Sequence, residues 1–286
     1  MTAILLYLCI IAAASTHTSL NKLFMRQSSQ AAVFNVLRAL TAFTMFCVIS
    51  IPGGTFHVPT LLFGMCYGGF VSISLYMGYR ALSVGPMALT SMMISFSVIF
   101  PVLWGILVQK EAVTFLHIIA FLLLFTALVL VNADKLRQNQ KPGMQYRKWF
   151  FFTSVTCLSN GVCSILQKEH QTAFPAQYSR EFMVAAMGIC TLIFMIIAVR
   201  RVSHQEFRQT TGKRYAILAG ITNSTANFLT LVLTGMENAS VLFPMISAGT
   251  IFAALLWGVF AFQEKPKANQ YAALLAGAAS IVLLKL

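Results

Sequence analysis

Charge is what this sequence has least of. Of its 286 residues, 9% are Asp, Glu, Lys or Arg, where a soluble domain carries about 25%. With 58% apolar residues, the chain has no adequate polar coat, and an ordinary water-soluble fold is excluded. Acids are rarest. All seven (Glu111, Asp134, Glu169, Glu181, Glu206, Glu237, Glu264) lie at the ends of apolar runs or between them. No carboxylate therefore stands in mid-membrane to bind an organic cation, or the proton that would drive its export. The six cysteines (Cys9, Cys47, Cys66, Cys157, Cys163, Cys190) include no CxxC pair and all fall inside apolar runs, so they read as small buried hydrophobes. HExxH and GxSxG are absent, and His17, His57, His117, His170 and His204 are scattered over two helices and three connections. Neither an embedded enzyme nor a metal or cofactor is expected. Long polar stretches are missing as well: the longest connections run over about 133–148 and 200–212, too short for a soluble domain.

What is there is apolar sequence in lengths that fit a bilayer. A hydrocarbon core about 30 Å thick takes about 20 residues of helix. Ten such runs follow one another: 2–25, 31–51, 59–83, 86–109, 114–132, 149–168, 180–199, 213–235, 239–262 and 268–285. Continuous apolar runs of this length lack the alternation of barrel strands, which leaves helices. The expected fold class is an all-α polytopic membrane protein of ten transmembrane helices, multi-pass in the plasma (cell inner) membrane. The first run reads as a span and not a secretory signal, because Met1 to Ile10 carry no basic residue.

The net charge of +13 is unevenly placed. One set of alternate loops holds Lys22, Arg26, Lys135, Arg137, Lys141, Arg147, Lys148, Arg200, Arg201, Arg208, Lys213, Arg214, Lys265 and Lys267. The other set holds only Lys110, Lys168, Arg180 and Lys285. The positive-inside rule makes the first set cytoplasmic and puts both termini on the extracytoplasmic side. Basic loops there meet anionic lipid headgroups, so lipid and not nucleic acid is the expected partner of this charge.

The chain also repeats itself. Leu103 to Glu111 reads LWGILVQKE, and 153 residues later Leu256 to Glu264 reads LWGVFAFQE. The same offset pairs Leu89 with Leu242, Met92 with Met245 and Ala120 with Ala273. Apolar identities come cheaply in membrane helices, but Trp104/Trp257 and Glu111/Glu264 use letters that are rare here. A weaker echo joins Leu20-Asn21-Lys22 to Leu166-Gln167-Lys168. The reading is two five-helix copies, 1–132 and 149–286, joined by a basic cytoplasmic linker at 133–148. Five is odd, so the second copy begins on the opposite side of the membrane. Inverted halves of this kind can exchange outward-open and inward-open states, with a solute held near the midplane.

Two five-helix halves, each with a Trp-Gly, a glutamate and a last alanine-bearing helix, resemble the drug/metabolite transporter superfamily, EamA type. The resemblance implies a ten-helix 5+5 transporter and leaves the solute open. The chain departs from the usual pattern in two places. The glycine common before the glutamate is Lys110 in one copy and Gln263 in the other. The proline of the fourth helix, Pro101, is matched by Ala254, with Pro244 ten residues earlier.

Polar residues inside the spans are the candidate site, since each needs a partner, a cavity or a route to the interface. Helix 1 offers Thr16 and His17, with Ser15 and Ser19 suited to helix packing. Helix 8 offers Asn223 and Asn227, which share a face at i, i+4. Helix 3 offers Ser72, Ser74, Tyr76 and Tyr79, helix 6 Ser159 and Asn160, helix 4 Ser91 and Ser95, and helix 9 Ser247 and Thr250. That these helices surround one cavity is implied by the resemblance alone. The substrate-binding candidates are Thr16, His17, Tyr76, Tyr79, Ser95, Asn160, Asn223, Asn227 and Ser247. Arg38 and Arg80 are expected to snorkel to the cytoplasmic interface, with attraction of an anionic solute as the alternative. Trp104 and Trp257 suit an aromatic belt or helix packing. Pro101 and Pro244, with turns at Gly85 and Asn238, are gating candidates. Glu111 and Glu264 are expected to anchor the turn or cap the helix that follows each of them, with a gating ion pair as the alternative.

The expected function is a secondary transporter, an exporter of a small neutral, zwitterionic or anionic metabolite, amino acids among them by family analogy. The alternative is a lipid or amphiphile translocator of the same fold. The expected partners are a small-molecule substrate and the bilayer, with the protein a monomer or homodimer.

Overall fold

A computed structural model describes residues 2–27, 30–50, 57–85, 87–138, 145–262 and 268–284. Among them there is no strand, and twelve α-helices occur: α1 Thr2–Gln27, α2 Ala31–Ser50, α3 Val58–Val84, α4 Met87–Ser95, α5 Ile99–Leu107, α6 Phe115–Gln138, α7 Tyr146–Ala173, α8 Ser179–Arg201, α9 His204–Gln209, α10 Lys213–Thr234, α11 Ala239–Phe262 and α12 Ala268–Leu283. Each apolar run of the sequence is helical over most of its described residues. The fourth run is broken in two by a 3₁₀ turn at Phe96–Val98. Pro101 explains the break: it has no N–H to give the carbonyl of Ser97, and its ring crowds that carbonyl. Pro244 stands within α11 without interrupting it.

Among the described residues six helices are long and apolar enough to cross a membrane: Ala3–Met25, Ala31–Ser50, Val58–Val84, Tyr146–Ala173, Ser179–Arg201 and Lys213–Thr234. The stretches Met92–Leu107, Phe115–Leu130, Ala239–Ala253 and Asn269–Leu283 are apolar but shorter. Large apolar side chains face outward, with Val199 78%, Phe115 75%, Leu107 72% and Leu275 71% exposed. A soluble monomer rarely carries so much exposed apolar surface, whereas lipid tails would cover it. An all-helical chain with long apolar helices and an apolar outer surface suits a bilayer. Two of the cysteines belong to that surface: Cys9 and Cys66 are exposed, while Cys163 and Cys190 are buried. The expectation of six buried thiols fails because a lipid-facing position accepts cysteine as readily as a core does.

The chain forms two compact units, interleaved in sequence. The first comprises Met1–Ser72 and Leu166–Gly235, the second Ile73–Ile165 and Met236–Leu286. In the first unit α1 packs on α10, and α2 on α8 and α10. Phe24, Phe34, Ala216 and Ala219 form one buried cluster of this unit, with Leu20, Leu37 and Tyr215 against it. Gly68 lets α3 lie directly on α8, because any Cβ there would run into the Ala186 carbonyl. In membranes such small-residue contacts do the work that apolar burial does in water. In the second unit α6 packs on α12 and α5 on α11. Ser280 Oγ donates to the Ala120 carbonyl at 2.8 Å across the α6–α12 contact.

Candidate functional site

Most hydroxyls of the polar stretches are spoken for by their own helix. In α1, Ser15 donates to Ala12 O, Thr18 to Ala14 O and Ser19 to Ser15 O, at 3.0 to 3.1 Å. In α10, Thr222, Ser224 and Thr225 donate to carbonyls one turn back. A hydroxyl satisfied in this way costs little in a bilayer. The candidates that reach beyond their own helix are fewer.

In the first unit the amide of Asn227 is one of them. Its Oδ1 accepts from Tyr67 Oη of α3 at 3.2 Å, and its Nδ2 donates to Asn223 O at 2.9 Å. Gln167 of α7 completes the group, its Nε2 standing 3.3 Å from both Tyr67 Oη and the Asn227 carbonyl. Tyr67 and Gln167 are 3% and 4% exposed. Three helices thus meet through amide and phenol groups in an apolar surround, where such bonds are stronger than in water. Asn223 joins the group through its backbone carbonyl. Neither Tyr67 nor Gln167 is among the polar residues that the sequence singles out. The LNK/LQK echo contains Gln167, but its place at the end of a run concealed its burial.

His17 and Arg38 form the second polar contact of this unit. Arg38 Nη1 lies 3.5 Å from His17 Nε2, and the guanidinium sits 5.9 Å from the Phe34 ring. Arg38 is 6% exposed, so it does not snorkel: its head turns inward to α1 instead of out to the interface. Thr16, beside His17, is half-buried.

A third group closes around His170, which the sequence placed in a connection. The structure puts it inside α7, fully buried. Thr60 Oγ1 bridges the two histidines, at 3.0 Å from His57 Nδ1 and 3.2 Å from His170 Nε2. His57 stacks on Tyr178, centroids 4.4 Å apart.

In the second unit Ser74 Oγ donates to Asn160 Oδ1 at 2.6 Å, tying α3 to α7. Tyr76 Oη accepts from Arg80 Nε at 3.4 Å and Nη2 at 3.2 Å, one turn apart on α3. Arg80 therefore keeps to its own helix, half-buried. Tyr79 is exposed, and Ser95 and Ser247 are half-buried, Ser95 at the start of the 3₁₀ turn. Trp149 Nε1 donates to Thr90 Oγ1 at 2.9 Å, and its ring lies where any side chain on Gly85 would have to go. Asn160 and Ser74 are thus together, while Tyr76 is engaged by Arg80.

The Trp-Gly…Glu echo acquires a physical meaning here. Glu111 Oε1 accepts from the Ala239 N–H at 2.7 Å and Oε2 from the Ser240 N–H at 2.8 Å. It caps the start of α11, not the helix that follows it in sequence. A carboxylate suits that place because the first N–H groups of a helix lack partners and carry its positive end. Gly105 makes room: a Cβ there would lie 2.5 Å from Glu111 Oε2. The turn between them closes with the Glu111 N–H on Gly105 O at 3.0 Å and with Lys110 in the left-handed region, φ 54. Pro101 and Pro244 are both buried; Glu264 lies outside the described residues, as does the side chain of Trp257. Among the described residues no three of His, Cys, Asp and Glu come together as metal ligands would.

No family model matches the sequence, and no curated protein matches it. Among solved structures 29 chains match. One of them, a crystal structure described only as that of a protein, has a TM-score of 0.80 at 14% identity, covering 99% of this chain and 96% of that one. At that identity the likeness concerns the fold alone.

Proposed function

We propose that the protein is a secondary transporter, an exporter of a small neutral, zwitterionic or anionic metabolite, working by alternating access between two inverted five-helix halves in the EamA manner. The observation that carries this reading is the placement of Tyr67, Gln167 and Asn227. Amide and phenol groups from three helices meet in an apolar surround, and buried polar groups in a bilayer are costly unless they serve a solute or a packing contact. The second support is the pairing of helices at corresponding places in the repeat: α2 packs on α8, α5 on α11 and α6 on α12. Contacts between counterparts are what a two-fold axis in the membrane plane would generate. The basic loops support a topology of ten spans with both termini extracytoplasmic. The absence of a mid-helix carboxylate among the seven acids favours neutral, zwitterionic or anionic solutes over organic cations. Amino acids fit that description.

Asn227→Ala is the direct test. It removes the acceptor of Tyr67 and one face of the group while leaving the Gln167 bond to the backbone carbonyl in place. Uptake of the exported solute into inside-out membrane vesicles is expected to fall at least tenfold, with the amount of protein in the membrane unchanged. Unchanged uptake would remove Asn227 from the site. A lipid or amphiphile translocator of the same fold predicts instead that headgroup-labelled lipid crosses reconstituted vesicles at a rate that Asn227→Ala leaves alone.

A further inference from the structure

A guanidinium keeps its charge inside a protein, so a buried arginine calls for an anion. Arg38 lies within α2 and is 6% exposed, yet among the described residues no carboxylate partners it. Its surroundings are known on every side that the structure describes. His17 Nε2 of α1 is 3.5 Å from Nη1, and the Phe34 ring lies 5.9 Å away. Cys190 of α8 is near enough to interact with its charge. On α10, Gly220 presses against its backbone, where a Cβ would fall 2.7 Å from the Arg38 carbonyl oxygen. Among the described residues the guanidinium has one side-chain hydrogen-bond contact, the one to His17, and at 3.5 Å it is longer than an ordinary hydrogen bond. A guanidinium can only donate, so a hydrogen bond to His17 Nε2 calls for a neutral ring with its proton on Nδ1. With His17 neutral, the site carries a single positive charge and, among the described residues, no carboxylate beside it.

We propose that Arg38, with His17 as its partner in the empty state, is the seat for the carboxylate of the transported solute. The substrate class is then a small monocarboxylate or an amino acid. The inference rests on the transporter reading and narrows it. Charge decides against phosphate. A phosphate group carries about −1.5 to −2 at pH 7, and one guanidinium would leave part of that uncompensated in an apolar surround. A carboxylate brings a single negative charge, and its two oxygens match the planar fork of a guanidinium. A structural arginine would be expected to have acceptors for most of its donors. Leaving a charge buried and unpaired is strongly destabilising, and an intramembrane ionisable group kept at that disadvantage points to a solute.

The test uses the purified full-length protein in detergent and its thermal unfolding. The probes are the twenty standard L-amino acids and the straight-chain monocarboxylates from acetate to hexanoate. The corresponding amides and inorganic phosphate serve as controls. At least one carboxylate is expected to raise Tm, while its amide and phosphate do not. Arg38→Met should abolish that shift, and Arg38→Lys should keep part of it. In the absence of any probe, Arg38→Met should melt no lower than the parent, because the charge removed had no anion to lose. That last readout separates the two roles, since a structural arginine predicts a variant that melts several degrees lower or fails to fold. Either result overturns the proposal. So does a screen in which no carboxylate shifts Tm, in which amide or phosphate works as well, or in which the shift survives Arg38→Met. Flux of the same probes into proteoliposomes keeps the two readings apart. A carboxylate that binds through Arg38 but is not moved supports the seat and contradicts transport. Flux of a neutral solute that is indifferent to Arg38→Met supports transport and overturns the seat.

Discussion

At Lys110 one backbone angle sets the cost of a residue. Its φ of 54 is in the left-handed region, where a non-glycine residue is disfavoured by about 1–2 kcal/mol. The resemblance places glycine at this position, and the turn that carries Glu111 back to α11 shows why. Lys110→Gly is expected to raise stability by about 1 kcal/mol or less, after allowance for the greater freedom glycine has when unfolded. A denaturation midpoint that falls would refute the role given to this turn. Glu206 offers a residue-scale test in pH. It accepts from the Ser203 N–H at 2.8 Å while Ser203 Oγ accepts from the Glu206 N–H at 3.1 Å, closing a capping box at the start of α9. These bonds hold its carboxyl below the ordinary carboxylate range. A depressed folded value means that the contribution is complete above the unfolded pKa and is lost as pH falls through the folded one. In an NMR titration the Ser203 and Glu206 amide shifts should move together at a pH below the ordinary carboxylate value, and Ser203→Ala should bring the Glu206 midpoint back up. At this scale the sequence reveals some site residues and conceals others. Asn227 and Asn160 stand out because an amide is conspicuous in an apolar run. Tyr67 passes for an apolar residue, and Gln167 and His170 seemed to lie at a helix end because hydropathy falls before α7 does.

At the scale of elements, the cap that Glu111 places on α11 is the clearest test. Removing a helix cap costs about 0.5–2 kcal/mol, and a partly buried charge at the positive end adds to that. Glu111→Ala is therefore expected to lower the melting temperature, with Glu111→Gln in between because one amide oxygen can still accept. If both variants melt like the parent, the carboxylate is not holding α11. The sequence anticipated a capping glutamate but chose the following helix, since nothing in one dimension brings residue 239 to residue 111. Helix positions were far more legible. Apolar length marks all the long helices, and Pro101 accounts for the 3₁₀ turn that hydropathy alone passes over. Two features escaped. The ends of α6 and α7 continue to Gln138 and Ala173, because a helix does not stop where polarity begins. The short α9 is polar but for Phe207, and only Ser203-x-x-Glu206 announces it.

At the scale of the molecule, each compact unit draws on both halves of the sequence, so sequence order alone does not deliver the units. What the sequence does offer is the sidedness of its charge, and that leads to a prediction about topology. In a background without the native cysteines, His204→Cys should be shielded from an impermeant thiol reagent outside intact cells. Glu237→Cys should be labelled, because the two connections fall on opposite faces if basic loops are cytoplasmic. The reverse pattern would invert the arrangement proposed for the whole chain.

The claim that this protein moves a small solute is met most directly by counterflow in proteoliposomes. Vesicles are preloaded with unlabelled amino acids or monocarboxylates and given a trace of the labelled compound outside. The account predicts a transient, saturable accumulation of label that needs the opposing solute, and that Asn227→Ala abolishes. Equal label in loaded, unloaded and protein-free vesicles across the panel would contradict it.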